Sequence, residues 1–118
     1  MAYFHDRIVS FGHALRGVGT LFAEQPHVRI HALATVLVFA LGALLSLRVG
    51  DWQSLVLIVA LVWLAEGFNT ALEYLCDAAV PDIHPLIKKS KDVAAATVLI
   101  TAGFAVVMAG LIFGPYLL

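Results

Sequence analysis

The stretch that decides the fold runs from Trp52 to Asp77 and reads WQSLVLIVALVWLAEGFNTALEYLCD. From Trp52 to Leu72 it contains a single charged side chain, Glu66. A helix of about 20 mostly apolar residues is long enough to cross the hydrocarbon core of a bilayer. Residues 52–76 are therefore predicted to form a membrane-spanning helix, which we call the second span.

Two other apolar segments flank the second span. Residues 28–48 are predicted to form the first span and residues 93–114 the third, since the centre of each segment carries no charge. Only a short turn at residues 48–51 separates the first two spans, so they should form an antiparallel hairpin. Residues 77–92 contain two prolines and three lysines and are predicted to be a cytosolic loop.

The composition agrees with a small integral membrane domain. Of the 118 residues, 62% are apolar and only 13% are charged. Average soluble domains have roughly 45–50% apolar and about 25% charged residues. The net charge of −1 gives no overall field to attract nucleic acid. An ordinary soluble domain, a disordered chain and a nucleic-acid-binding protein are therefore all disfavoured.

Residues 1–25 show the pattern of an amphipathic helix. Six apolar side chains recur at spacings of three and four residues, which places them on one helix face. They are Phe4, Ile8, Phe11, Leu15, Val18 and Phe22. Such a helix is predicted to lie in the membrane interface, with Pro26 separating it from the first span. The alternative is a soluble helix that packs on a partner.

The distribution of basic residues predicts the orientation of the spans. Lysine and arginine accumulate in the cytosolic segments that flank membrane helices. Six of the seven lie before or at the start of the first span or in the segment 77–92, and only Arg48 lies on the opposite side. The N-terminus and residues 77–92 are therefore expected to face the cytosol. The six are Arg7, Arg16, Arg29, Lys88, Lys89 and Lys91.

The cytosolic end of the second span carries a polar stripe. Glu66, Asn69 or Thr70, Glu73 and Asp77 recur every three or four residues and so share one helix face. A charge at the centre of a bilayer costs about 2.5–3.5 kcal/mol on insertion scales. Acids in this position therefore indicate a function.

The stripe and the lysines after it allow several functions. Lys91 could hold phosphate oxygens and the acids a divalent cation, which together would serve chemistry between a nucleotide and a lipid. Interhelical hydrogen bonding explains Asn69 and Thr70 but not three carboxylates in a line. An ion or proton pathway is the sharper alternative. The residue pattern alone leaves these possibilities open.

Two segments make the sequence recognisable. They read AEGFNTALE at residues 65–73 and KDVAAA at residues 91–96, with Asp77 between them. Together they resemble the bacterial integral-membrane diacylglycerol kinase and undecaprenol kinase family, whose pattern is Glu-x-x-Asn-[Ser/Thr]-Ala-x-Glu followed by Lys-Asp and a helix of small residues. The resemblance covers nearly the whole chain.

The resemblance implies a role for each matching residue. Glu66 matches the catalytic acid, taken as the general base toward the lipid hydroxyl, and Ala95 is expected beside the lipid. Glu73 matches a carboxylate that binds the divalent metal and positions ATP. The other positions expected at the nucleotide are Arg7, His13, Asn69, Asp77, Asp82, Ile83, His84, Lys91 and Asp92.

One position departs from the family pattern. Some members have a second metal-binding glutamate four residues before the arginine that matches Arg29. This chain has Gln25 there, and Glu24 one residue earlier. An amide oxygen can ligate Mg²⁺, but without the negative charge of a carboxylate. The resemblance thus names Glu73 with Glu24 or Gln25 as candidate Mg²⁺ ligands.

The resemblance leads to a specific expectation for the whole protein. It implies an all-α, three-span lipid kinase of the bacterial inner membrane that transfers the γ-phosphate of ATP, with Mg²⁺, to a lipid alcohol. Arg29-Ile-His31 favours undecaprenol as acceptor, with diacylglycerol as the alternative. The family is homotrimeric, with active sites between subunits. The remaining alternative is a non-enzymatic membrane protein that uses the acidic stripe as an ion or proton pathway or acts as a structural partner.

Overall fold

The protein is entirely helical in the computed structural model, which describes residues 1–118. Its four helices are α1 (Ala2–Glu24), α2 (Pro26–Leu44), α3 (Val49–Ala79) and α4 (Pro85–Leu117). The last three are each long and apolar enough to cross a membrane. The predicted all-α fold, with three candidate spans after an N-terminal helix, is confirmed.

The chain divides into two compact units, residues 1–33 and residues 34–118. In the first unit, α1 buries none of its residues, so the whole apolar stripe is exposed. The helix ends where Pro26 was predicted to interrupt it. Arg29 closes this end, because its guanidinium donates hydrogen bonds to the carbonyl oxygens of Phe22 (2.8 Å) and Ala23 (3.1 Å). Hydrogen bonds of this kind satisfy carbonyl groups in the last turn of a helix, which a helix cannot pair internally.

The second unit is built on the packing of α3 against α4, with its core near the turn that joins α2 to α3. The end of the two helices that carries this turn, residues 45–48, is called the turn end below. The opposite end, with residues 77–92, is called the loop end. Five buried apolar residues form the core, and the last turns of α2 pack against it. These five are Leu47, Leu55, Ile58, Ile112 and Phe113.

Hydrogen bonds among Tyr116, Asp51 and Arg48, called the clasp below, hold the end of α4 at the turn end. The Tyr116 hydroxyl donates to a carboxylate oxygen of Asp51 (2.6 Å) and accepts from the backbone N–H of Arg48 (3.0 Å). The Arg48 guanidinium also lies 3.4 Å from that carboxylate. The nearby Tyr116, followed by the negative charge of Asp51, raises the pKa of Arg48 above its usual value. The clasp ties the turn to the end of the third candidate span.

The loop is shorter than the predicted residues 77–92, and this part of the prediction was wrong. The helix α3 continues to Ala79 and α4 already begins at Pro85, so the connection is only five residues long. Pro85 suits the first position of a helix because its missing N–H would have no partner there. The imidazole Nδ1 of His84 accepts a hydrogen bond from the N–H of Leu86 (3.1 Å) and caps the helix. Proline and lysine suggested a loop, but here they begin a helix.

This correction lengthens both helices. With 31 and 33 residues, α3 and α4 measure about 46 and 50 Å at 1.5 Å per residue, against a hydrocarbon core of about 30 Å. The apolar part of α4 begins at Val93. Apart from Asp82, the charged residues of the loop end therefore stand on helical extensions of the two spans.

Candidate active site on α3 and α4

The polar stripe of α3 runs from a buried to an exposed environment. Glu66 and Thr70 are each only 3% exposed, and they are the buried polar residues of the chain. Glu73 is half-buried, and the carboxylate side chain of Asp77 is 67% exposed. The helix rises about 10 Å between Glu66 and Glu73. The stripe therefore connects a protected carboxylate with carboxylates that water-soluble ligands can reach.

The loop end brings Lys91 to the exposed part of this stripe. The ammonium of Lys91 donates a hydrogen bond to the carboxylate of Asp77 and forms an ion pair with it. That hydrogen bond, with smaller contributions from the charges of Asp77 and Glu73, raises the pKa of Lys91 above its usual value. The structure thus brings together three of the predicted site residues, Glu73, Asp77 and Lys91.

The next lysine–acid pair lies along α4 itself. Lys88 donates to the carboxylate of Asp92 at 2.8 Å, one helical turn further on. This pair raises the pKa of Lys88, chiefly through the hydrogen bond. Asp92, predicted at the nucleotide, is therefore already paired within its own helix. Ala95, predicted beside the lipid, lies exposed on α4 one turn beyond Lys91.

Asn69 contributes a polar atom that the chain leaves unsatisfied. Its side-chain oxygen Oδ1 is buried and has no hydrogen-bond partner. Buried polar atoms normally have one, so each exception calls for an explanation. Asn69 lies one turn from Glu73 on the same face, and amide and carboxylate oxygens are the donors that Mg²⁺ prefers. The donor chemistry of these two residues therefore fits a Mg²⁺–phosphate ligand.

The connection between α3 and α4 holds three other predicted residues. Asp82 is exposed and Ile83 is fully exposed, while His84 caps α4. The capping bond gives His84 a structural role that the sequence did not predict. The contacts of these residues with a nucleotide stay a prediction.

The remaining predicted residues belong to the first unit. The guanidinium of Arg7 lies over the ring of Tyr3, 4.9 Å from its centre, and the imidazole of His13 is hydrogen-bonded to Arg16. Glu24 ends α1, and the backbone N–H of Gln25 donates to Leu21 (3.0 Å). No group of three or more His, Cys, Asp or Glu side chains is close enough to hold a metal ion.

One hydrogen bond near Glu66 was not predicted from the sequence. The indole Nε1 of Trp63 donates a hydrogen bond to the hydroxyl of Thr35 on α2, at 3.0 Å, and both residues are half-buried. The available signal was the position of Trp63, three residues before Glu66 and so on a neighbouring part of the same face. Its partner on another helix was not predictable from spacing.

Fold and site together define a small membrane protein with a buried acid and a charged cluster at one end of its spans. Comparison with known proteins gives the family: the family model described as prokaryotic diacylglycerol kinase matches residues 12–113. The chain belongs to this family. The resemblance drawn from the motif is therefore confirmed.

Two relatives with assigned activities show how far the similarity extends. A diacylglycerol kinase of Synechocystis is 40% identical over 112 residues, which cover 94% of this chain and 64% of that protein. An undecaprenol kinase of Bacillus subtilis is 33% identical over 108 residues, 92% of this chain and 88% of that protein. The chain thus spans less than two thirds of the Synechocystis relative but most of the Bacillus one.

Proposed function

We propose that this protein is a lipid kinase that transfers the γ-phosphate of ATP to the hydroxyl group of a membrane lipid. The observation that carries the proposal is the position of Glu66. It is a carboxylate 3% exposed on a candidate span, in line with the half-buried Glu73 and the exposed Asp77, which is paired with Lys91 of α4. Membership of the family, and the activities named for the two relatives, support the same reaction.

Each part of the stripe has a task in this reaction. The carboxylate of Glu66 accepts the proton of the lipid hydroxyl while the hydroxyl oxygen attacks the γ-phosphorus. The bond from that phosphorus to the bridging oxygen of ADP breaks, so that lipid phosphate and ADP leave. Lys91 offsets the negative charge on the phosphates. To do so, its ammonium group replaces part of its ion pair with Asp77 by hydrogen bonds to phosphate oxygens. Positioning and charge neutralisation carry most of the catalysis in such transfers.

Mg²⁺ is the metal that we propose for the site. Glu73 would hold it, with the unsatisfied Oδ1 of Asn69 one turn away as a second oxygen donor. When bound, the ion would neutralise charge on the phosphates of ATP. Glu24 and Gln25, at the junction of α1 and α2, stay candidates for a further ligand.

The acceptor that we favour is undecaprenol, with diacylglycerol as the alternative. Arg29-Ile-His31 resembles the undecaprenol branch, and the chain matches a larger share of the Bacillus undecaprenol kinase than of the Synechocystis diacylglycerol kinase. We place the protein in the bacterial inner membrane as a homotrimer, with the loop end facing the cytosol.

The test is transfer of labelled phosphate from ATP to lipid in mixed micelles containing Mg²⁺. Undecaprenol and diacylglycerol are offered separately, and Glu66→Gln is the inactive control. We expect label in undecaprenol, and loss of transfer by at least about a hundredfold in the variant, as for removal of a general base. Asp6→Asn removes an exposed acid outside the site and should keep full activity.

Three outcomes would change the proposal. Label in diacylglycerol alone would reverse the choice of acceptor. Substantial turnover by Glu66→Gln would remove this residue from the role of base. Absence of label in either lipid, from a folded protein, would favour an ion pathway or a structural role.

A further inference from the structure

The hydrogen bond between Trp63 and Thr35 lies at the level where a lipid chain would meet Glu66. Trp63 precedes Glu66 by three residues, a rise of about 4.5 Å toward the turn end. Its indole reaches across to α2 and is held there by the Thr35 hydroxyl at 3.0 Å. From Val38 onward, α2 packs against the core of the turn end. The Trp63–Thr35 contact therefore extends the attachment of α2 to α3 toward the buried acid.

The way in which a lipid alcohol lies in a membrane would place its chain beside Trp63. Its hydroxyl lies near the membrane surface and its chain points to the bilayer centre. With the hydroxyl at Glu66, the first carbons of the chain lie on the turn-end side of that residue. Trp63 is the largest side chain on this side within one turn of Glu66. A hydrogen bond at Nε1 fixes the orientation of its ring.

We propose that Trp63, oriented by Thr35, is the wall against which the first carbons of the acceptor lie, and that it determines which lipid alcohol is phosphorylated. This inference rests on the proposed function and adds the basis of its specificity. A single polyprenyl chain fits beside a fixed indole more easily than the branched glycerol and two acyl chains of diacylglycerol. The wall therefore favours undecaprenol.

Three variants separate the hydrogen bond from the bulk of the indole. Thr35→Val and Trp63→Phe remove the bond but keep most of the volume, whereas Trp63→Leu also removes the ring. Hydrogen bonds between membrane helices are individually weak. Loss of one should therefore raise the KM for undecaprenol by only about 3- to 15-fold in the first two variants. The KM for ATP should stay unchanged. Trp63→Leu should lower the preference for undecaprenol over diacylglycerol, as the ratio of kcat/KM values, by about tenfold.

Trp52→Phe is the matched control. It changes the other tryptophan of the chain, which packs at the turn end, and should leave the ratio of kcat/KM values unchanged. An unchanged ratio in Trp63→Leu would overturn the proposal. Equal increases in the KM for lipid and for ATP in Thr35→Val would also overturn it, because they would indicate general damage.

Fluorescence tests the contact without turnover. With Trp52→Phe in place, Trp63 is the sole tryptophan. Titration with undecaprenol in the absence of ATP should shift its emission saturably, and Thr35→Val should weaken the apparent affinity. An emission unchanged by undecaprenol would overturn the proposed wall. A wild-type protein that phosphorylates no lipid, by contrast, would overturn the proposed function itself.

Discussion

At the scale of single residues, three neighbouring lysines differ by their partners. Lys91 is paired with Asp77 on α3, Lys88 with Asp92 on its own helix, and the ion pairs of the chain do not include Lys89. Only Lys91 reaches the acidic stripe. Position relative to that stripe, rather than charge, should therefore decide which of these lysines binds phosphate.

Lys91→Ala is predicted to weaken nucleotide binding strongly. A charge-assisted hydrogen bond to phosphate is lost, so the KM for ATP should rise by at least about tenfold. Lys89→Ala is the matched control, since it removes the same charge two residues away, and it should change the KM less than twofold. The measurement is lipid phosphorylation at varied ATP and saturating lipid. Equal effects of the two variants would show that only the total charge matters.

The residues of the stripe were predictable because helical periodicity fixes their face. Glu66, Asn69 and Glu73 share that face in the structure as in the sequence. The pairing of Asp77 with Lys91 was not predictable, since it depends on the length of the connection between two helices. The unsatisfied Oδ1 of Asn69 also emerges only from packing.

At the scale of helices, α2 and α3 approach each other closely at the turn end. A Cβ atom added to Gly42 would lie 2.9 Å from both Leu47 Cδ1 and the ring of Trp52. Leu47 is buried in the core, so neither neighbour can move away freely. Only glycine lets the end of α2 meet the start of α3 this closely.

Gly42→Ala is therefore predicted to destabilise the fold by about 1–3 kcal/mol, as overpacking of a core does. Gly50→Ala, at the same end of the molecule, is the control, because a Cβ there would meet nothing within 4 Å. Thermal unfolding in detergent, followed by circular dichroism, compares the two variants. Equal transition temperatures would mean that the turn end repacks without cost.

The spans were easier to predict than their connection. Apolar composition over 20 residues identifies a span without knowledge of its neighbours. The limits of the loop depended instead on local capping: His84 and Pro85 begin α4, and eleven of the sixteen residues assigned to the loop are helical. Prolines mark a boundary but do not indicate which side of it is helical.

At the scale of the whole molecule, the basic residues predict which end faces the cytosol. Lys89→Cys at the loop end and Gln53→Cys at the turn end, each with Cys76→Ser, provide single labelling sites. In intact spheroplasts a membrane-impermeant maleimide should label only Gln53→Cys, and in inverted vesicles only Lys89→Cys. The reverse pattern would contradict the positive-inside prediction and place the acidic stripe away from cytosolic ATP.

Assembly is the last property that the single chain predicts. Gly103 and Gly110 lie seven residues apart on one face of α4, and a Cβ at either would meet nothing within 4 Å. Small residues at such spacing allow close helix packing in membranes, where association depends on contact rather than on hydrophobic burial. The family resemblance implies three copies.

We therefore expect the native mass in detergent to be three times the 12.7 kDa of one chain. Gly103→Leu and Gly110→Leu should shift this mass toward that of the monomer, because leucine prevents close approach of a second helix. Leu111→Phe adds volume at another exposed position of the same helix, about a quarter turn away from both glycines, and should leave the trimer intact. If the glycine variants remained trimeric with full kinase activity, the subunits would have to meet on a different face of the molecule. A wild-type monomer with full activity would instead show that one chain forms a complete site.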